Sequence, residues 1–196
     1  MDSTKYTSYL GSRSLAGNLY RKYWLYPRLS KFLKGSTLDV GCGIGDLLGF
    51  RPNTVGVDIN PHNVAFCKEL GQDSQVMVPD FLPFGGASFD SVLLDNVLEH
   101  IAEPPPLLSE IRRVLRPHSV VLIGVSGLRG QGCDFYHKVF YDEAGLAATA
   151  ERNGFNVVSV FQMPIGRSVY LIRHLRQYCI YSVWQSLPAK PTPADT

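Results

Sequence analysis

Leu38-Asp39-Val40-Gly41-Cys42-Gly43-Ile44-Gly45-Asp46 is the stretch on which the fold turns. A short apolar run meets three alternating glycines and then the start of a helical pattern. Glycine is required where backbone turns sharply and a ligand must approach it with no Cβ between. The third glycine follows the second by two residues instead of three, so this is not the G-x-G-x-x-G loop that seats a dinucleotide pyrophosphate on a helix N-terminus. Asp39, just before the loop, would repel pyrophosphate and attract a cationic or hydroxyl-bearing ligand.

On either side of this loop the chain alternates strand-length apolar runs with helical stretches, the pattern of a sheet covered on both faces. Strands are expected at 37–40, 54–58, 75–78, 89–94, 120–125, 156–161 and 179–184, and helices at 20–34, 46–49, 63–71, 105–115 and 142–153. Asp142 is a suitable N-cap, and Gly71 can stop the helix before it. Residues 126–138 hold Gly127, Gly130 and Gly132 without periodicity and read as a mobile loop after the fifth strand. Residues 165–177, with three arginines among apolar residues, read as an amphipathic helix, and the proline-rich stretch from Pro188 as a disordered tail. The expected division is an N-terminal helical lid (1–36), a ligand-binding domain (37–187) and the tail (188–196).

The 196 residues are 45% apolar with a net charge of +2, which excludes intrinsic disorder for most of the length. The charge is uneven. Residues 1–36 carry +6, 37–164 carry −7 and 165–196 carry +3. Basic ends can contact an anionic membrane surface weakly, but no Lys/Arg block is dense enough for a nucleic-acid arm. No run of about 18 apolar residues could span a membrane, and the N-terminal residues lack a secretory signal, so a cytoplasmic location is the expectation. Cys42, Cys67, Cys133 and Cys179 are too scattered for a C-x-x-C pair and read as reduced thiols.

With its glycine loop and the acid before it, the sequence resembles the class I S-adenosylmethionine-dependent methyltransferases, whose first motif is an acidic residue followed by GxGxG. Asp39, Gly41, Gly43 and Gly45 match position by position, and the resemblance implies that they lie against the amino-acid end of the cofactor. Asp58, in VGVDIN thirteen residues beyond Gly45, stands where the family places an acid that accepts from the ribose hydroxyls, with Ile59 beside it. VMVPDFLPF at 76–84 looks like the adenine segment, Asp80 accepting from the adenine amino group and Phe81 following. FDSVLLDNVLEHI at 89–101 looks like the fourth strand and its extension, with Asp95 or Asn96 under the cofactor. The resemblance covers residues 36–186 and implies an α/β, three-layer Rossmann-like fold, a seven-stranded mostly parallel sheet with an antiparallel terminal strand.

The implied chemistry is transfer of the sulfonium methyl group of S-adenosyl-L-methionine by in-line displacement, S-adenosylhomocysteine being the product. The donor is already activated, so positioning and water exclusion carry most of the rate. A hydroxyl acceptor must lose a proton, and His100, just past the fourth strand, and His137, within FYHKVF, are the candidate bases. His62, His118 and His174 are assigned to surface turns and ends. Some relatives, ubiquinone-pathway O-methyltransferases among them, hold a divalent cation with Glu-x-x-Glu-His. Here Asn96 replaces the first carboxylate, and no metal is expected. Short insertions and the absence of a separate recognition domain favour a small-molecule or glycan acceptor over nucleic acid. The competing readings are a non-catalytic domain that keeps the cofactor site as a binding surface, and a nicotinamide-dependent oxidoreductase.

Overall fold

The computed structural model describes residues 14–127, 137–166, 168, 170 and 178–187. The lid residues before Ser14, most of the amphipathic stretch, His174 and the tail lie outside the described residues. The strands are β1 (Thr37–Val40), β2 (Thr54–Asp58), β3 (Ser74–Val76), β4 (Phe89–Asp95), β5 (Leu115–Ser126), β6 (Phe155–Met163) and β7 (Cys179–Ser186). They form one seven-stranded sheet in the order β3-β2-β1-β4-β5-β7-β6. The first five are mutually parallel, and β7 runs antiparallel to both β5 and β6. Strand order reverses between β1 and β4, and in open α/β sheets the crevice beyond the carboxyl ends at such a reversal is where ligands bind.

β4 and the Val121–Val125 part of β5 are buried almost throughout, as strands covered on both faces must be. Alternate residues serve opposite cores. Val92, Leu94, Val121 and Ile123 join Leu108, Ile111, Leu146, Phe155 and Trp184 on one face. Leu93 and Leu122 join Leu25, Tyr26, Leu29, Leu33 and Tyr181 on the other. The first face is covered by α5 (Pro105–Val114) and α6 (Glu143–Arg152), whose N-cap Asp142 accepts from the Gly145 N–H at 2.7 Å as expected. α4 (Pro61–Glu69) begins earlier than its sequence suggests, because Asn60 accepts from the His62 N–H at 3.0 Å and caps it.

The second face corrects two expectations. The single helix expected over 20–34 is instead α1 (Leu15–Tyr20), a π-helical turn (Arg21–Leu25) and α2 (Tyr26–Leu29). Pro27 has no N–H and its ring crowds the carbonyl four residues back, so a regular α-helix cannot pass through it. The turn widens instead, with the Tyr26 N–H donating to Arg21 O. Leu25, Tyr26, Leu29 and Leu33 are at most 5% exposed, so this part of the expected lid is core. The stretch from Leu15 to Trp24 is more exposed, touching that core through Tyr20 and pinned where Trp24 Nε1 donates to Pro164 O at 2.7 Å, just past the end of β6.

Other departures are small. β5 starts at Leu115, not Val120, because its ladder with β4 runs through an irregularity between Phe89 and Ser91. β3 stops at Val76, where Met77 turns inward and donates to Asp58 O at 3.0 Å. Leu146 is fully buried on α6, and Leu146→Ala is expected to lower the unfolding free energy by about 3 kcal/mol through lost transfer energy and the cavity left behind. Urea denaturation with an unchanged m value checks this.

Candidate active site

The glycine loop joins β1 to α3 (Asp46–Phe50) with Gly41, Gly43 and Gly45 all at positive φ. At two of these the space is closed as well. A Cβ on Gly41 would lie 2.5 Å from Val97 Cγ2, and one on Gly45 would lie 2.8 Å from Cys67 Sγ. The loop is tied to β2 by the Gly41 and Cys42 N–H groups, both donating to Val57 O at 2.8 and 3.0 Å.

Asp58 ends β2 and is 6% exposed. Its Oδ2 accepts from Gly43 N at 2.9 Å and Asn63 Nδ2 at 3.1 Å, and its Oδ1 from Asn60 N at 2.8 Å. Burial pushes its carboxyl up, and these three donors oppose the shift. A carboxylate offers about four lone-pair positions, so room remains for one further donor. Ile59 and Phe81 are 63% and 54% exposed along the same sheet edge. Asp80 is exposed at φ +61°, and no donor among the described residues reaches its carboxylate.

Asp39 is 5% exposed, and it too receives no hydrogen bond from the described residues. Burial first, then Asp95, Asp58, Cys67 and Asp46, raise its pKa well above the ordinary range. Three of the acids named from sequence, Asp39, Asp58 and Asp95, therefore lie near enough for their charges to act on one site, with Asp46 beside them. Asp95 Oδ1 accepts from Tyr181 OH at 2.8 Å and from Asn96 Nδ2 at 2.9 Å. Arg21 Nη1 approaches Asp95 Oδ2 at 3.9 Å and donates to Tyr26 OH at 3.2 Å. Between the N-terminal segment and the loop lies a cavity of about 420 Å³ whose walls include Asn18, Arg21, Lys22, Tyr26, Ile44 and Asp46.

A second cluster adjoins the first. The two candidate histidines, 37 positions apart in sequence, meet with ring centroids 4.7 Å apart. Behind them Glu99 is fully buried. Its Oε1 accepts from Ser126 N at 3.1 Å and Ser126 Oγ at 3.2 Å and lies 3.9 Å from His137 Nε2, while its Oε2 has no hydrogen-bond partner among the described residues. Glu99 O accepts from the Lys138 and Val139 N–H groups, fastening the segment that carries His137. Burial raises the Glu99 carboxyl, against its hydrogen bonds and the two histidines. Ser126 Oγ also lies 2.9 Å from Asn96 Oδ1, which links the clusters.

Ser126 and Tyr181 left no signal in the sequence, whereas Glu99 was visible only as the acid of the Asn96-to-His100 string and Arg21 only as one of the basic residues of the expected lid.

Residues 38–123 match the family described as a methyltransferase domain. The chain is 28% identical over 166 residues to a probable S-adenosylmethionine-dependent methyltransferase of Mycolicibacterium smegmatis, covering 75% of this chain and 65% of that protein. It is 32% identical over 110 residues to a tRNA (carboxymethyluridine(34)-5-O)-methyltransferase of Arabidopsis thaliana, covering 51% of this chain and 27% of that protein. Together with the matches to uncharacterised proteins of Streptomyces fradiae and Methanocaldococcus jannaschii, the chain spans between 27% and 65% of the length of these curated relatives. Among solved structures, an Aquifex aeolicus S-adenosylmethionine-dependent methyltransferase superposes with a TM-score of 0.68 at 18% identity, covering 95% of this chain and all of that one. A Haloferax volcanii putative methyltransferase, solved in complex with the Trm112 activator, gives 0.71 at 16% identity, covering 90% of this chain and 94% of the matched one.

A glycine loop with an acid before it, at the reversal point of this seven-stranded sheet, defines a nucleoside-cofactor-binding α/β protein. Residues 38–123 carry the methyltransferase-domain match, and the fold is that of the S-adenosylmethionine-dependent methyltransferase structures the chain superposes on. The cofactor of that class is S-adenosylmethionine, and the residues present fit it. The buried Asp39 carboxylate, which no donor among the described residues reaches and which has three acidic neighbours, suits a ligand bearing sulfonium and ammonium charges.

A buried carboxylate with no donor and three acidic neighbours destabilises the free protein. Because its folded pKa is raised, stability rises as pH falls through that value. Asp39→Asn should therefore stabilise the cofactor-free protein by about 1 kcal/mol. The same change should weaken S-adenosylmethionine binding about tenfold and flatten its rise with pH. Thermal melts and calorimetry at several pH values check both.

Proposed function

We propose that the protein transfers a methyl group from S-adenosylmethionine to a hydroxyl of a small-molecule or glycan acceptor. The observation that carries this reading is the buried Glu99 against His137 and His100, linked through Ser126 to Asn96 at the edge of the acidic cleft. When bound, the cofactor supplies a methyl group on sulfonium sulfur, open to in-line displacement. In this reading Gly41, Gly43 and Gly45 lie against its amino-acid end and Asp39 faces the positive charge. Asp58 takes a ribose hydroxyl on its remaining lone pair while holding the loop, and Ile59 and Phe81 flank the adenine. Asp80 accepts from the adenine amino group, and Asp95 and Asn96 lie beneath the sulfur.

The two-signed cavity suits the zwitterionic end of the same ligand, with Arg21 directed at its carboxylate and Asp46 at its ammonium. Leu15 to Trp24 would then cover the cleft, which narrows the lid to that segment. On the acceptor side, His137 takes the hydroxyl proton as the methyl arrives. Glu99, whose carboxylate faces Nε2, holds that ring in orientation and stabilises the cation formed. His100 packs against the same ring and completes the acceptor wall.

Asp58→Ala is expected to weaken S-adenosylhomocysteine binding by roughly 1.5–3 kcal/mol, the range for hydrogen bonds to a charged group. His137→Ala should leave that affinity unchanged and lower turnover by about a hundredfold or more. The assay is transfer of labelled methyl from S-adenosylmethionine across a panel of hydroxylated glycans and phenols, with calorimetry in parallel. A loss of cofactor affinity in His137→Ala would remove that histidine from the acceptor side.

A further inference from the structure

Glu110 and Arg113 lie one turn apart on α5 and form a two-pronged ion pair, Arg113 Nε to Glu110 Oε1 and Nη2 to Oε2, both 2.6 Å. An exposed pair of this kind contributes little to stability, yet this one is turned onto the main chain of the loop that follows β3. Glu110 Oε2 accepts from Leu82 N at 3.0 Å. Arg113 Nη2 donates to Leu82 O at 2.9 Å, and Nη1 donates to Phe84 O at 2.7 Å. Leu82 therefore has both its backbone polar groups fixed by one ion pair, and its side chain is fully buried. Arg113 O also accepts from Ala87 N at 3.0 Å at the far end of the same loop.

Two residues upstream, Asp80 sits at positive φ with no donor among the described residues on its carboxylate, and Phe81 is more than half exposed. Neither packs firmly enough to set its own position. Their placement is inherited from Leu82 and from the contact of Val78 with Phe81. We propose that the Glu110–Arg113 pair is a positioning device for base selectivity: it fixes the loop that presents Asp80 to the cofactor's purine, without touching the cofactor. This rests on the reading of Asp80 as the acceptor for the adenine amino group. A carboxylate held at one point to accept from an amino group faces a carbonyl oxygen instead when the ligand carries one there, and that discrimination weakens when the acceptor is free to move away.

The test compares the affinity of the full chain for S-adenosylhomocysteine with that for S-inosylhomocysteine, which carries oxygen in place of the amino group. Wild type, Asp80→Asn, Glu110→Ala, Arg113→Lys and the destabilised core variant Leu146→Ala are each titrated calorimetrically. Lysine keeps the charge, but a single ammonium cannot span two carbonyls and both Glu110 oxygens. The wild type should prefer the adenine ligand, and Glu110→Ala and Arg113→Lys should reduce that preference by roughly tenfold, the effect of losing about one hydrogen bond's worth of discrimination. Leu146→Ala should keep the wild-type ratio despite a greater loss of stability. Wild-type preference persisting in both pair variants would overturn the proposal while leaving Asp80 in place. No preference in wild type, and none altered by Asp80→Asn, would remove the reading of Asp80 and the proposal with it.

Discussion

The carboxylate of Asp58 is the joint on which the site depends. Through Gly43, Asn60 and Asn63 it fastens the glycine loop, the start of α4 and the end of β2 to one point. Without it, three glycines in a row of positive φ would be free to sample many conformations, since glycine loses more freedom on ordering than any other residue. Burial raises the cost of the charge, and three donors offset it. The side chain that shapes the loop is therefore also the one proposed to take a ligand hydroxyl on its last lone pair. A scaffold role joined to that proposed role would leave little tolerance for substitution.

The opposite wall is built from residues remote in sequence. Arg21, Asp95 and Tyr181 come from the N-terminal segment, β4 and β7, and meet through a 2.8 Å hydrogen bond and a 3.9 Å ion pair. Tyr181 can reach Asp95 because β7 enters the sheet beside β5, and Gly124 opposite leaves the room: a Cβ there would fall 2.9 Å from Asp95 Oδ1. Arg21 reaches it because the π turn that Pro27 forces ends in a buried Leu25 and Tyr26, anchoring the segment on the second core. The arginine needed over the cleft and the apolar residues needed under the sheet are thus set by one local irregularity.

These two constructions explain what could be read from the sequence. The glycine-loop side of the candidate site was legible as an arrangement because its residues lie at strand ends, in order, with spacings fixed by strand and turn lengths: Asp39, the three glycines and Asp58 occupy twenty positions. The seven strands were legible for a similar reason, since buried parallel strands leave continuous apolar runs. The acceptor half was not. His100 and His137 were separable candidates, but their contact depends on Glu99 O accepting two N–H groups from the segment bearing His137, a tertiary bond with no periodic signature. The break at Pro27 was visible as a residue, yet whether a chain kinks, stops or widens at proline is decided by what the next turn buries.

Charge gives the site its direction. The middle of the chain carries −7 and its carboxylates Asp39, Asp46, Asp58 and Asp95 converge on one edge, whereas the +6 of the first 36 residues includes Arg21 and Lys22 on the facing wall. Like charges gathered at low dielectric cost stability, and a fold keeps such a cluster only where something compensates it. Arg21 compensates Asp95, but its 3.9 Å approach is too long for a hydrogen bond, and Asp39 receives no donor from the described residues. The cleft is left short of positive charge at its deepest point and supplied with it at the rim. A ligand positive at its centre and negative at its end would satisfy both. The same field would turn away a pyrophosphate, so the exclusion already made from the glycine spacing follows a second time from electrostatics alone.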